Sequence, residues 1–245
     1  SGGANLATEY QFDAFGRVTR TLGPAHTALI AGTPKSVRTA TWTFYNDAAH
    51  EPRHAQGYAL AASPYTETVA GPVSIARTDR DGRTTEQIQA AYSGTLAGLA
   101  SATILQSDYT AWTTYQYSKT RPVSTRMYDD IPSSGSGTEG TNFEQASYGY
   151  ETFGTDKMGR QNRTLAPDGT ITRVVYDARG NIVSAWLGTD DTGATDADPT
   201  GGAAQGNNMV KVAGSAFDAD GNLNQSRSYF GSGANDYYSI EYQYD

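Results

Sequence analysis

The sequence predicts an all-β protein made of repeated antiparallel β-hairpins. Three observations carry this. A turn phrase recurs along the chain, side chains near it alternate with a period of two, and the 245 residues are rich in turn and strand formers, with 27 Gly and 17 Tyr. A hydrophobic content of 37% suits many short strands joined by turns better than a helical bundle.

The phrase is an aromatic residue or Thr, then Asp, two variable residues, Gly, and Arg or Asn. It occurs as Phe12-Asp13 to Gly16-Arg17, Thr78-Asp79 to Gly82-Arg83, Thr155-Asp156 to Gly159-Arg160, Tyr176-Asp177 to Gly180-Asn181 and Phe217-Asp218 to Gly221-Asn222. An Asp that opens a turn accepts hydrogen bonds from backbone N–H groups just ahead of it. A Gly three residues later supplies the left-handed conformation that ends a type I turn in a bulge. The ten structural turn residues are therefore Asp13, Gly16, Asp79, Gly82, Asp156, Gly159, Asp177, Gly180, Asp218 and Gly221. Asp156 and Asp177 lie one unit of about twenty residues apart, as a repeat architecture requires.

Between these copies the other elements follow in order. Tyr10 and Phe12 alternate ahead of the first turn, and Tyr45-Asn46-Asp47 reads as a degenerate copy without Gly in register. Residues 86–106 are Ala-rich and admit a short helix, with Ile88, Ala91 and Tyr92 on one side, against which Gly94 and Gly98 count. Tyr115 and Tyr117 alternate into a second degenerate copy, Tyr117 to Pro122, and Tyr128-Asp129 opens a third. The Ser- and Gly-rich residues 130–141 form a loop. Tyr148 and Tyr150 alternate again, and residues 160–187 form a meander that turns at Ala166-Pro167-Asp168-Gly169 and again at Asp177. The acidic residues 188–208 form a long loop, and 231–235 a short one. Tyr238, Ile240, Tyr242 and Tyr244 then share one face of a strand. The tyrosines are expected to pack as cross-strand ladders. No linker breaks the repeat, so residues 1–245 read as a single hairpin array.

A net charge of −8 opposes phosphate backbones and anionic bilayers, so neither nucleic acid nor membrane insertion is expected, and no apolar run reaches the length of a span. The absence of cysteine removes disulfides, thiolate metal sites and Cys nucleophiles. His26, His50 and His54 are the only histidines, and Pro52 interrupts the last two, so no HExxH zinc site forms. No G-x-S-x-G elbow or phosphate loop occurs. Asp190, Asp191, Asp196 and Asp198 in the acidic loop are calcium candidates by their oxygen chemistry, set against a simple solvated loop. Glu9, Glu51, Glu67, Glu86, Glu139, Glu144, Glu151 and Glu241 could supply a glycosidase pair, but their scatter privileges none. Arg17, Arg83 and Arg160 recur at one repeat position and are expected to bridge to neighbouring hairpins.

The phrase, with alternating apolar residues after it as in Gly180-Asn181-Ile182-Val183, resembles the YD-repeat family, also called Rhs repeats. The resemblance implies that the hairpins form a spiralling YD-repeat strip or partial shell. In bacterial Rhs toxins and insecticidal toxin complexes such shells enclose a toxic domain; in teneurins and wall-associated proteins they belong to surface proteins. Asp198-Pro199-Thr200-Gly201 lacks the aromatic and Arg-Asp-Pro context of the family's self-cleavage signature, so cleavage is not carried over. So few units do not close a shell, and the chain is expected to be a piece of a larger protein or to stack with its own copies. The function implied is structural: encapsulation or adhesion, extracellular or at the cell surface, or within a secreted toxin complex. No enzymatic activity and no cofactor are expected, and the partners are neighbouring repeats or other copies, with a glycan or surface protein as further partner. The alternatives are a carbohydrate- or protein-binding module presenting Trp42, Trp112 or Trp186, and a glycosidase.

Overall fold

The computed structural model describes residues 7–60, 64–152, 159–202, 207–231 and 235–244. Its strands are β1 (Glu9–Phe12), β2 (Val18–Ile30), β3 (Thr33–Asn46), β4 (Glu51–Leu60), β5 (Glu67–Val69), β6 (Val73–Thr78), β7 (Thr84–Ala90), β8 (Tyr109–Ser118), β9 (Arg121–Tyr128), β10 (Phe143–Tyr150), β11 (Gln161–Leu165), β12 (Ile171–Tyr176), β13 (Ile182–Gly188), β14 (Val210–Phe217), β15 (Leu223–Tyr229) and β16 (Tyr237–Glu241). Strand neighbours follow chain order, except that β5 lies beside β4 and β4 continues to β6. The paired strands β1 to β8 and β10 to β16 are antiparallel. The all-β hairpin fold expected from the turn phrase is therefore the fold observed.

The chain divides into two compact units: unit 1 is Ser1–Gln116 with Arg126–Glu144, and unit 2 is Tyr117–Thr125 with Gln145–Asp245. In unit 1, period-two alternation on long strands builds an apolar face. Ala40 and Trp42 of β3 lie inward beside Gly57 and Ala55 of β4, and Val73 and Ile75 of β6 beside Ala90 and Ile88 of β7. Leu22 from β2 and Leu99 from a one-turn helix, α1 (Leu96–Leu99), complete the core. Each such aliphatic side chain, fully buried, contributes about 1.5–3 kcal/mol. Thr95 caps α1 by accepting a bond from the Gly98 N–H.

The Ala-rich stretch thus yields less helix than expected. Residues 84–90 are the strand β7, and Ile88 belongs to the sheet core. Only Leu96–Leu99 turn helically, because Ile88 and Ala90 are drawn into register with Ile75 and Val73.

Gly57 shows how tightly β5 sits. A Cβ on Gly57 would stand 2.0 Å from the Thr68 carbonyl oxygen, so only glycine lets that backbone pass.

Unit 2 is held differently. Its buried side chains include Asn162, Arg173 and Ser184 alongside Ile171 and Met209. The guanidinium of Arg173 is satisfied by Asp191 at 2.8 Å and by the Thr195 carbonyl. A partnered polar network, Arg173 with Asp191 and Asn162 with Asp196, adds there to the apolar packing.

Candidate functional site

Four described copies of the turn phrase have one geometry. The Asp N–H donates to the carbonyl of the Arg or Asn that closes the phrase, at 2.9 Å in each case: Asp13 to Arg17, Asp79 to Arg83, Asp177 to Asn181 and Asp218 to Asn222. The Gly N–H donates back to the Asp carbonyl at 3.0–3.1 Å, with Gly φ between 77° and 95°. The strand register slips at the same place in all four, so that Phe12 faces Val18, Thr78 faces Thr84, Tyr176 faces Ile182 and Phe217 faces Leu223. That is a glycine bulge, which needs the positive φ that Gly alone adopts freely.

The carboxylates complete the turn. In Asp177 one oxygen accepts from the N–H groups of Arg179 and Asn181 at 2.9 and 2.8 Å, and the other accepts from Asn181 Nδ2 at 3.0 Å. Asp218 repeats this with Asp220 and Asn222. In Asp13 and Asp79 the closing residue is Arg, and its Nε takes the place of the amide at 2.7 Å. The Arg-or-Asn alternation therefore has a single cause, since either side chain reaches back to the same oxygen. These bonds hold the carboxyls below the usual aspartate range. The Arg83 side chain is the main cause for Asp79, the Asn181 side chain for Asp177 and the Asn222 N–H for Asp218. At Asp13, burial pushes upward, but the bonds from Arg17 and Phe15 outweigh it.

The arginines thus act first within their own turns, not only between hairpins as expected. Arg17 does both: it holds Asp13, reaches Asp47 beyond β3 through two bonds of 2.7 and 2.9 Å, and stacks 3.9 Å over Tyr45. Arg83 pairs with Asp79 and Asp81 of its own turn.

The remaining copies carry insertions. Asp156 lies outside the described residues. The residue that answers Arg160 is Glu151: its N–H donates to the Arg160 carbonyl at 3.0 Å, and its carboxylate takes Arg160 Nε and Nη2 at 2.6 and 2.9 Å. Tyr150 faces Gln161 across the same one-residue slip, so Tyr150-Glu151 and Gly159-Arg160 hold the two ends of the phrase, with seven residues of sequence between Glu151 and Gly159 where the phrase has two. Tyr128-Asp129 is a copy of the same kind. Asp129 donates to the Asn142 carbonyl at 3.2 Å, which makes loop 130–141 an insertion within a turn. Tyr45-Asn46-Asp47 also reverses the chain, through a 3-10 turn capped by Asn46 and ended by His50 at φ 51°. Lys119, at φ 56°, does so between β8 and β9.

The acidic loop does not gather its carboxylates. Asp191 pairs with Arg163 at 2.6 Å and Arg173 at 2.8 Å, Asp196 receives Asn162 and Thr152, and Asp190 and Asp198 each close a local turn on a Thr two residues ahead. Among the described residues no three acidic or histidine side chains form a group that could hold a metal. Asp191 and Asp196 instead tie their part of the loop to β11 and β12.

Several glutamates are spent in ion pairs. Glu51 is 6% exposed and lies 2.7 Å from both Arg53 Nε and Arg77 Nε. Glu86 takes Arg77 and the Trp112 indole, and Glu9 and Glu67 take Arg38 and Arg20. Glu139, Glu144 and Glu241 are exposed. The tryptophans do not form an outward platform. Trp42 is buried, Trp112 stacks on Tyr128 at 4.0 Å, and Trp186 is half-buried, its indole donating to Ser184 Oγ. The exposed aromatics are others, among them Phe15, Phe230 and Tyr238. Tyr10, Tyr238, Tyr242 and Tyr244 are likewise exposed, yet rings do meet across neighbouring strands, Tyr229 with Tyr237 at 5.3 Å and Phe230 with Tyr238 at 4.9 Å.

Each unit also carries a cavity. One of about 850 Å³ in unit 1 lies among β2, β3, α1 and the Asp13 turn; one of about 860 Å³ in unit 2 lies beside the Asp177 turn and the acidic loop.

The fold and its turns define an all-β protein of consecutive hairpins closed by an acid–glycine clasp. No family model matches the chain, and no curated protein matches it. Among solved structures it is similar to the crystal structure of TcdB2-TccC3-TEV, at 14% identity and a TM-score of 0.38, over 91% of this chain and 10% of that one. It is similar also to the Tc holotoxin pore of Photorhabdus luminescens carrying a TccC3 mutation, at 15% identity and a TM-score of 0.31, over 91% and 12%. A third is the crystal structure of TcdB2-TccC3-Cdc42, at 15% identity and a TM-score of 0.30, over 91% and 12%. The chain spans about a tenth of the length of the solved chains it matches.

Proposed function

We propose that this chain is a structural segment of a YD-repeat β-shell, part of a large secreted or cell-surface bacterial protein that encloses a cargo or mediates adhesion, and that it is not an enzyme. The observation that supports the reading is the clasp itself. One set of bonds, with one register slip, recurs at Asp13, Asp79, Asp177 and Asp218, and with Glu151 in an expanded form. A unit repeated for its geometry serves to propagate a sheet, and its recurring polar groups are consumed inside each turn. Neighbouring repeats are then the natural partners of the edge strands β1 and β16.

Electron microscopy of the natural full-length protein tests this. A hairpin sheet wound around an enclosed space supports the proposal. A domain whose sheet encloses nothing and stands apart from further repeats overturns it.

A further inference from the structure

The cavity of unit 1 has a chemistry of its own. Its walls carry the rings of Phe15, Phe44, Tyr45 and Tyr65, while Ala97 of α1 and Ala100 just after it contribute small side chains. Both of its guanidinium groups are paired, and its three carboxylates leave one negative charge over. Arg17 is held by Asp13 and Asp47 and covers the Tyr45 ring, and Arg20 pairs with Glu67 at 2.8 Å and stands 5.6 Å from the Tyr65 ring. An incoming cation would find these rings already faced by guanidinium groups, and an anion would find both guanidinium groups neutralised. Arg17 also stands 5.3 Å from the Phe15 ring centroid, yet that ring keeps most of its surface free, beside a polar edge. Phe15 is 80% exposed at the mouth. The side chains of Gln11 and Thr19 have no hydrogen-bond partner among the described residues, and Glu67 keeps Oε2 outside its pair with Arg20.

We propose that this cavity binds an uncharged saccharide. A neutral hexose has an apolar C–H face to lay on Phe15, and hydroxyls that both donate to Glu67 and accept from Gln11 or Thr19. It asks for no charge that the cavity has already neutralised. A volume of about 850 Å³ lies within the usual range of small-ligand sites, roughly 300–1,000 Å³. The proposal stands on the cavity and not on the shell reading, so either can fail without the other.

The test is isothermal titration calorimetry of the purified 245-residue chain with glucose, galactose and N-acetylglucosamine, beside glucuronate and glucosamine as charged counterparts. Saturable binding of a neutral sugar in the millimolar range is expected, with at least about tenfold weakening in Phe15→Ala and in Glu67→Gln. Phe230→Ala removes an exposed ring elsewhere and leaves binding unchanged. Phe15 lies on an exposed turn, so its variant keeps the wild-type circular dichroism spectrum. Three results overturn the proposal: no saturable heat with any neutral sugar, tighter binding of a charged counterpart, or binding indifferent to Phe15→Ala.

Discussion

Glu151 and Arg160 close the β10–β11 connection as a bidentate pair, with Nε and Nη2 of the guanidinium 2.6 and 2.9 Å from the two carboxylate oxygens. The pair occupies the place that Asp177 and Asn181 hold one hairpin later, and Arg160 Nη1 also donates to the Asp177 carbonyl at 3.1 Å. One guanidinium therefore ties the β10–β11 turn to the β12–β13 turn, although the β11–β12 turn lies between them in the chain.

Removing that acid is expected to unseat both turns. Glu151→Ala should destabilise the chain by about 1.5–3 kcal/mol, the range for hydrogen bonds to charged groups. Urea unfolding followed by circular dichroism measures it, and Asp156→Ala is the comparison. A larger loss for Asp156→Ala than for Glu151→Ala would return the turn's acid role to Asp156.

The buried ion network of unit 1 is expected to be less tolerant. Glu51 stands between Arg53 and Arg77, and Arg53 Nη1 is also committed to the Leu99 and Ala102 carbonyls. Glu51→Gln leaves Arg53 without a counter-charge and Arg77 with Glu86 alone, and should cost about 3–5 kcal/mol. A shift in the urea midpoint no larger than that of an exposed Glu144→Gln control would refute this.

Two glycines should separate conformational from steric cost. Gly82 has φ 77° and open space at its Cβ position, so Gly82→Ala should cost about 1–2 kcal/mol through the left-handed backbone alone. Gly57→Ala must displace the Thr68 carbonyl and should cost about 3 kcal/mol or more by overpacking. Thermal unfolding of both variants checks the order, and equal melting temperatures would contradict it.

Acid should loosen the clasps together. The folded-state pKa values of Asp79, Asp177 and Asp218 lie below the value near 3.9 of an unfolded aspartate. Their contribution is therefore fully present above about pH 4 and is lost as pH falls through the folded values. Wild type should lose melting temperature steeply below that pH, and Asp177→Asn, with no carboxyl there to protonate, should lose less between pH 5 and 3. An identical acid slope in the two proteins would count against the clasp as a source of stability.

The sequence by itself determined four of the hairpins, because the bonds that make each compact clasp run between residues at most four apart, as from Asp177 to Asn181. Such a turn closes before any distant contact exists, so its residues can be read in order, and the expected bends at Asp13, Asp79, Asp177 and Asp218 are where the chain reverses. Tertiary structure decided what depends on distant partners. Glu151 meets Arg160 across an insertion, Asp191 meets Arg163 and Arg173 instead of a metal, and Ile88 joins β6 rather than a helix. Trp42 is buried while Tyr238 is 75% exposed, although both sit in alternating strands. Alternation says that two faces differ, but only the strand or helix that arrives to cover one of them decides which face is dry.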